Sequence, residues 1–467
     1  MSHRFDIAIV GGGSAGLTAA TTAKRLGASV VLIERNKTGG ECLHTGCIPS
    51  KTLIHTSRLY HEMKQAAKYG LPLVDQPLDF ARVMDHVQTV IASIYQHENP
   101  PALHEMGIEV MEGNASFTSP TSLSVDGITI RTGKTIICTG SSPLIFPIEG
   151  LDSVPYLTNE TVWSLRTLPR SMLIVGGGPI SVEMGQAFAR FGTRVTIVEL
   201  MPRILPNEDE EISETLKQVL SEEGLRCLTS ARVAKVRREN GEISVLVEKD
   251  GSTEVIPVAS LLVSIGRSPS VAGLRLEEAG VDYSNRGIVV NKYLQTSTPS
   301  VYACGDVVGP YRFTHSAGYQ ADIAVRNATT GNTRESDLSV LPWVTFTDPE
   351  VARVGLTESE ARKKFERVTV LRVPAGSIDR PRTEGHDKGI LKIILDERDS
   401  ILGVHAFTTH SGEYIHEAAL AMQNGLTVEA LGKLIHAYPT HAEILKKAAT
   451  RYLRSKEKAI PLAELPS

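Results

Sequence analysis

No apolar run in this chain is long enough to span a bilayer, so no transmembrane helix is expected. Basic residues are not in excess. Lys and Arg number 49 against 53 Asp and Glu, and the formal net charge of −4 argues against a nucleic-acid-binding surface. The start, Met1 to Asp6, leads straight into a strand and carries no signal-peptide pattern. Cysteine is sparse. Cys42, Cys47, Cys138, Cys227 and Cys304 are too few and too scattered for a secreted disulfide framework. These absences leave a cytoplasmic location as the default, and the 467-residue length suggests two to four domains.

Against that background one segment stands out: Gly39-Gly40-Glu41-Cys42-Leu43-His44-Thr45-Gly46-Cys47-Ile48-Pro49-Ser50-Lys51. In a reducing compartment such a close pair of cysteines points to catalysis or metal binding rather than a structural staple. The C-x4-C spacing does not suit a zinc knuckle, and no second Cys or His pair stands at ligand spacing, so no metal site is expected. In a regular helix, residues five apart have Cα atoms about 8–9 Å from each other. A disulfide needs less than about 7 Å. The segment must bend for the sulfurs to bond, and Gly46 supplies the freedom.

Residues 9–34 read IVGGGSAGLTAATTAKRLGASVVLIE, and residues 174–199 read IVGGGPISVEMGQAFARFGTRVTIVE. The two align without a gap. Each is an apolar strand, a glycine turn, an amphipathic helix and a second apolar strand ending in an acid, the full context of a dinucleotide-binding unit. Gly11 permits the tight turn, Gly13 lets the backbone approach a pyrophosphate at the helix N-terminus, and Gly16 allows close helix–strand packing. Glu34 is placed to accept from a ribose 2′-hydroxyl. Gly176, Gly178 and Glu199 repeat these roles, with Ser181 in place of the third glycine. Two units imply two dinucleotides. Glu199 would repel a 2′-phosphate, so NAD is favoured, while nearby Arg203 keeps NADP open.

The ordered series of motifs resembles the class I pyridine nucleotide–disulfide oxidoreductases, the family of dihydrolipoamide dehydrogenase, glutathione reductase and mercuric reductase. After the redox pair come Thr139-Gly140-Ser141-Ser142-Pro143, the second dinucleotide unit, Gly266-Arg267-Ser268-Pro269, Tyr302-Ala303-Cys304-Gly305-Asp306-Val307 and Thr345-Phe346-Thr347-Asp348-Pro349-Glu350. The resemblance implies an α/β fold with two Rossmann-like dinucleotide-binding domains and a C-terminal α+β dimerisation domain. An FAD-binding domain would occupy 1–150 and 269–340, an NAD-binding domain 151–268, and a dimerisation domain 341–467. Pro143, Pro147 and Gly150 mark the first boundary and Gly266 to Pro269 the second. Thr135 to Cys138, Ile243 to Val247 and Leu391 to Leu395 read as strands, and Ser359 to Phe365 and His416 to Asn424 as helices.

By the same resemblance, FAD and NAD are the cofactors, and Thr139, Gly140, Gly266, Asp306 and Ala317 join the glycine motifs in holding them. Cys47 would face the flavin ring and form a thiolate–flavin charge-transfer pair, and Cys42 would exchange with the substrate. Lys51 and Glu183 match a family ion pair beside the flavin, where a positive charge also lowers a thiol pKa. Cys304 reads as packing. The protein would be a homodimer whose active site is shared between subunits, acting on a small or protein-bound thiol or disulfide.

One departure concerns the family's H-P-T-x-x-E segment, whose His–Glu pair serves the partner subunit as acid–base. Here the segment is Tyr438-Pro439-Thr440-His441-Ala442-Glu443. A phenol with a pKa near 10 is a poor base at neutral pH, though it donates a proton. His436 and His441 flank the site as candidate replacements, and Glu443 lacks its usual partner. Three readings follow: a dihydrolipoamide dehydrogenase-like enzyme, a mercuric reductase-like reductase of a metal ion or another acceptor, and a flavin redox sensor or complex subunit. Tyr438, the Trp343 to Glu358 segment and Asp379-Arg380 look like the mercuric side. The ending Leu462 to Ser467 carries no cysteine pair of the kind that delivers the metal ion there, and no N-terminal metal-binding domain is expected before Met1, which weighs against efficient mercury handling.

Overall fold

The computed structural model describes residues 3–72, 76–239 and 241–458. The first two residues and the Leu462 to Ser467 ending lie outside the described residues. The chain opens with strand β1 (His3–Val10), helix α1 (Ser14–Arg25) and strand β2 (Val30–Glu34). The inner half of β1 and nearly all of β2 are buried, as a parallel strand covered on both faces requires. Strands β3 (Glu109–Glu112), β4 (Ala115–Ser119), β5 (Ser122–Val125) and β6 (Ile128–Ile137) complete a sheet of order β3-β2-β1-β6-β5-β4. The C-terminal end of β6 pairs in parallel with the distant strand Val301–Ala303, so the chain re-enters its first sheet late in the sequence. Strand β6 is longer than the expected Thr135 to Cys138 because its first half pairs with β5 in an antiparallel ladder.

The second unit is a four-stranded parallel sheet, ordered 226–228, 194–198, 171–175, 260–263, beside an antiparallel meander of 231–239, 242–249 and 252–258. The third is a five-stranded antiparallel sheet, ordered 343–345, 350–355, 401–408, 390–395, 369–374. Its inner face, including Leu391, Ile393 and Val404, packs against Ile415, Ala418, Leu445 and Ala448 of two helices. Each such aliphatic side chain contributes about 1.5–3 kcal/mol through burial. The helix expected over His416 to Asn424 starts earlier, at Ser411. Its first turn is anchored to a neighbouring strand: Ser411 Oγ donates to the Glu350 carbonyl and the Gly412 N–H to the Glu350 carboxylate.

Small side chains set the spacing in the first unit. Ala15, Ala19 and Ala23 of α1 share a core with Ala317, Ala321, Ala324 and Ala328 of the helix Thr314–Thr330. That close packing leaves the N-termini of both helices beside one cleft, lined by Gly13, Ser14, Thr314 and Ala317.

Candidate active site

The redox segment is two helices with a break between them. Helix α2 (Gly40–His44) ends at Thr45, and helix α3 (Cys47–Lys64) starts after Gly46. The expected bend is therefore present, and Gly46 makes it possible by close approach. A Cβ on Gly46 would meet the Glu41 carbonyl oxygen at 2.9 Å. The start of α2 lies directly on the first glycine loop. The Gly39 N–H donates to the Gly12 carbonyl, and a Cβ on Gly40 would stand 2.6 Å from Gly13 Cα. The dinucleotide loop and the cysteine segment are thus one structural unit.

Cys42 and Cys47 are both free thiols in the structure, and Thr314 Oγ1 lies 3.2 Å from the first sulfur and 3.3 Å from the second. Each sulfur's nearness to the other dominates their titration. Interaction with the Cys42 thiol lowers the Cys47 pKa to about 6, helped by Thr314 and by the Lys51 ammonium. Interaction with Cys47, together with burial, pushes Cys42 well above the ordinary thiol range. The pair therefore keeps one proton on Cys42 and a thiolate on Cys47 at neutral pH.

Lys51 on α3 pairs with Glu183 on the helix Pro179–Phe191 at 2.8 Å. The other Glu183 oxygen accepts the Phe346 N–H at 2.7 Å, and Lys51 Nζ sits 4.5 Å from the centre of the Phe346 ring. One buried carboxylate therefore ties together the redox helix, the second dinucleotide unit and the C-terminal unit. Around the cysteines a second network forms. Arg267 pairs bidentately with Glu41, donates to Ser141 Oγ, and lies 3.9 Å from Asp306. Ser141 Oγ in turn donates to Asp306 at 2.6 Å.

These residues line one open cleft of about 2940 Å³. Single ligand sites span roughly 300–1,000 Å³, so the cleft has room for more than one large ligand. It is lined by Gly11, Gly13, Glu34, Thr139, Gly140, Asp306 and Ala317 on one side, and by Gly176, Gly178, Glu199 and Gly266 on the other. The two glycine turns match closely, with φ of +106° at Gly11 and +103° at Gly176. Gly13 and Gly178 stand at helix N-termini without side-chain caps, leaving backbone N–H groups for a phosphate. A Cβ on Gly16 would fall 1.8 Å from the Gly11 carbonyl oxygen. At the matching position Ser181 is accommodated, and its hydroxyl bonds Ser264 at 2.8 Å. Glu34 and Glu199 each accept from the middle glycine of their own loop, Gly12 and Gly177. Thr139 Oγ1 and Arg203 Nε are buried without a hydrogen-bond partner among the described residues, and both residues line the cleft. Two uncapped glycine turns and these orphaned polar atoms fit one FAD and one nicotinamide dinucleotide.

Tyr438, His441 and Glu443 do not line this cleft. Tyr438 is 72% exposed and its hydroxyl donates to Asp379 at 2.9 Å, which raises its pKa. His441 Nε2 lies 2.9 Å from a Glu384 oxygen, yet burial lowers the His441 pKa. Glu443 has found another partner, the backbone N–H of Thr440 at 3.0 Å. His436 pairs with Glu417 at 3.1 Å. Sequence reasoning gave no role to Thr314, Glu41 or Glu384, because nothing local marks them; Asp379, noted only for its likeness to the mercuric side, is the partner of Tyr438. The fold also brings Glu384, His410 and His441 together from three separate segments.

The pyridine nucleotide-disulphide oxidoreductase family model matches residues 5–321, and that family's dimerisation domain matches residues 341–449. Mercuric reductase of Lysinibacillus sphaericus is 35% identical over 96% of this chain and 82% of its own length. Dihydrolipoyl dehydrogenase of Thermus scotoductus is 37% identical over 95% of this chain and 96% of its own length. Among solved structures, the Cu(II) complex of the HOCl-induced flavoprotein disulfide reductase RclA from Escherichia coli superposes with a TM-score of 0.86, at 29% identity, covering 96% of this chain and 99% of that one. Its fold, its paired glycine turns and these matches identify the chain as a member of the pyridine nucleotide–disulphide oxidoreductase family, an oxidoreductase that uses FAD and NAD(P)H.

Proposed function

We propose that this protein is a homodimeric, NAD-linked oxidoreductase that exchanges electrons with a dithiol or disulfide substrate through Cys42 and Cys47. The observation that carries the reading is the one-proton thiol pair beside Lys51 and Glu183 in the shared cleft. When bound, FAD and the nicotinamide dinucleotide supply two-electron redox chemistry. Gly11, Gly13, Gly16, Glu34, Thr139, Gly140, Asp306 and Ala317 would hold the first, and Gly176, Gly178, Glu199 and Gly266 the second. NAD is favoured because the Glu199 carboxylate, which bonds Gly177 and Met201, stands at the ribose position.

The protein's own residues then act on thiols. Cys42 holds the pair's proton, so it attacks a substrate disulfide only after a base removes that proton. Its attack releases one substrate thiolate and forms a mixed disulfide. The Cys47 thiolate then attacks the Cys42 sulfur, the second substrate thiolate leaves, and Cys42–Cys47 becomes the disulfide. Two protons go to the released thiolates. Tyr438, its phenol held protonated by Asp379, is suited to donate one. His441, neutral at pH 7 through burial, is suited to be the base, and Glu443 shapes that loop through Thr440. Since none of the three lines the cleft of its own chain, we place them at the cleft of the partner chain.

The proposed division into residues 1–150 with 269–340, 151–268, and 341–467 is supported by the late strand Val301–Ala303 rejoining the first sheet. Among the described residues no helix is long and apolar enough to cross a membrane. A cytoplasmic location suits the free thiols. A second reading, reduction of a metal ion or another non-disulfide acceptor, is favoured by Tyr438 and by the mercuric reductase relatives. The deciding experiment is a turnover screen with NADH and NADPH against lipoamide, dihydrolipoamide with NAD, glutathione disulfide, mercuric ion and quinones. Turnover of a lipoamide or another disulfide with NADH supports the first reading. Turnover of metal ion or quinone alone sinks it.

A further inference from the structure

Three side chains that do not line the redox cleft of their own chain converge, and thiol exchange as proposed uses only His441 of them. Glu384 ends the helix Asp379–Glu384, His410 precedes the helix Ser411–Gln423, and His441 lies in the loop before the helix Glu443–Lys458. One donor atom from each lies within 4.8 Å of the other two. The two imidazole rings meet edge to face with centroids 5.0 Å apart. Packing alone would be satisfied by aliphatic side chains here. Two imidazoles and a carboxylate are instead the donor set that borderline divalent transition metals favour.

The surroundings prepare the donors. His410 is held at φ +57°, a left-handed backbone position that costs energy for a non-glycine residue. Its ring makes no hydrogen bond among the described residues, so nothing but the neighbouring ring defines its use. Arg380 bonds the Glu384 oxygen Oε1 at 2.6 Å and leaves Oε2 facing His441. That contact orients the carboxylate as an outer-shell partner would, although its charge offsets part of the attraction for a cation.

We propose that Glu384, His410 and His441 form a site for a divalent transition-metal ion such as Zn²⁺ or Cu²⁺. With metal–ligand distances of about 2.0–2.1 Å, tetrahedral donors stand about 3.3 Å apart. His441 and Glu384 already stand 2.9 Å apart, so the donors need to close by no more than about 1.5 Å, chiefly by movement of the His410 side chain. Three protein donors leave a coordination position open, so the ion is exchangeable and accessible to water or a further ligand.

The test is equilibrium dialysis of the FAD-loaded protein against Zn²⁺, in a Cys42→Ser/Cys47→Ser background that removes the redox thiols as competitors. One Zn²⁺ per chain is expected. His410→Asn, which tolerates the left-handed backbone, and Glu384→Gln should each weaken binding more than tenfold, with FAD retained as the check on folding. Cu²⁺ bound to the same protein should show nitrogen hyperfine splitting that diminishes in His410→Asn. No Zn²⁺ retained, or retention unchanged in both variants, would overturn the site. His441 is shared with the proposed function, where it serves as base only while the site is empty; the measurement uses neither NADH nor turnover, so failure of the site and failure of that reading are distinguishable.

Discussion

The chemistry of single residues here turns on which sulfur carries the proton. Cys47 sits below the ordinary thiol range because Cys42, Thr314 and Lys51 all favour its thiolate, against the opposing effects of burial and Glu183. Its reactivity should therefore survive mild acid. In the reduced protein, the rate of Cys47 alkylation by iodoacetamide should stay high at neutral pH and fall as pH drops through about 6. A midpoint near that of a free thiol would remove the shared-proton arrangement. Thr314→Val deletes a hydroxyl that bonds both sulfurs and should move the midpoint upward without loss of fold. Thr314 illustrates where sequence reasoning stops. The Cys42–Cys47 pair is legible because five positions of chain hold it together. Thr314 is 267 residues from Cys47 and reaches it only because alanine-faced helices pack closely enough to bring the second helix start to the first.

At the scale of elements, the glycine turns decide where the strands deliver their helices. Gly16 is the least replaceable position, since a Cβ would fall 1.8 Å from a backbone oxygen that cannot move without dismantling the β1–α1 turn. Gly16→Ala should give a protein that does not retain FAD through gel filtration, and whatever folds should melt markedly lower. Ser181→Gly, at the matching place in the second unit, should be mild, costing about 0.5–1 kcal/mol of helix propensity together with the Ser264 hydrogen bond. If both behaved alike, the two turns would not be the distinct structures described. This asymmetry is only half visible in the sequence. The pattern shows that Ser181 departs from glycine, while the extra room that admits it depends on tertiary spacing. Similarly, the start of the Ser411–Gln423 helix escapes periodicity because its anchor, Glu350, belongs to another strand.

For the whole molecule, the cleft and the C-terminal loop of one chain are separate, and the proposed mechanism needs both. Ile435 is 89% exposed and Tyr438 72%, with Leu434 at 45% beside them, an apolar edge on the unit that matches the family's dimerisation domain. Patches of this kind mark association surfaces. Sedimentation should show two chains per particle at micromolar concentration. Ile435→Glu should shift the balance to single chains and lower disulfide turnover at least tenfold, while NADH still reduces the cysteines. A monomeric wild type with full turnover would refute the shared site. Sequence gave the order of the motifs and hence the architecture. The acid–base question stayed open because Tyr438 meets Asp379, and His441 meets Glu384, across 59 and 57 residues of chain.

The central claim, that electrons from NADH reach Cys42 and Cys47, is tested most directly by counting thiols. The FAD-loaded protein, isolated without reductant, is alkylated anaerobically before and after one equivalent of NADH per chain, and the labelled positions are mapped. The expected result is no label at Cys42 and Cys47 beforehand and label at both afterwards, with Cys138, Cys227 and Cys304 unchanged. Label at both before NADH, or no gain at either after it, would contradict a redox-active pair.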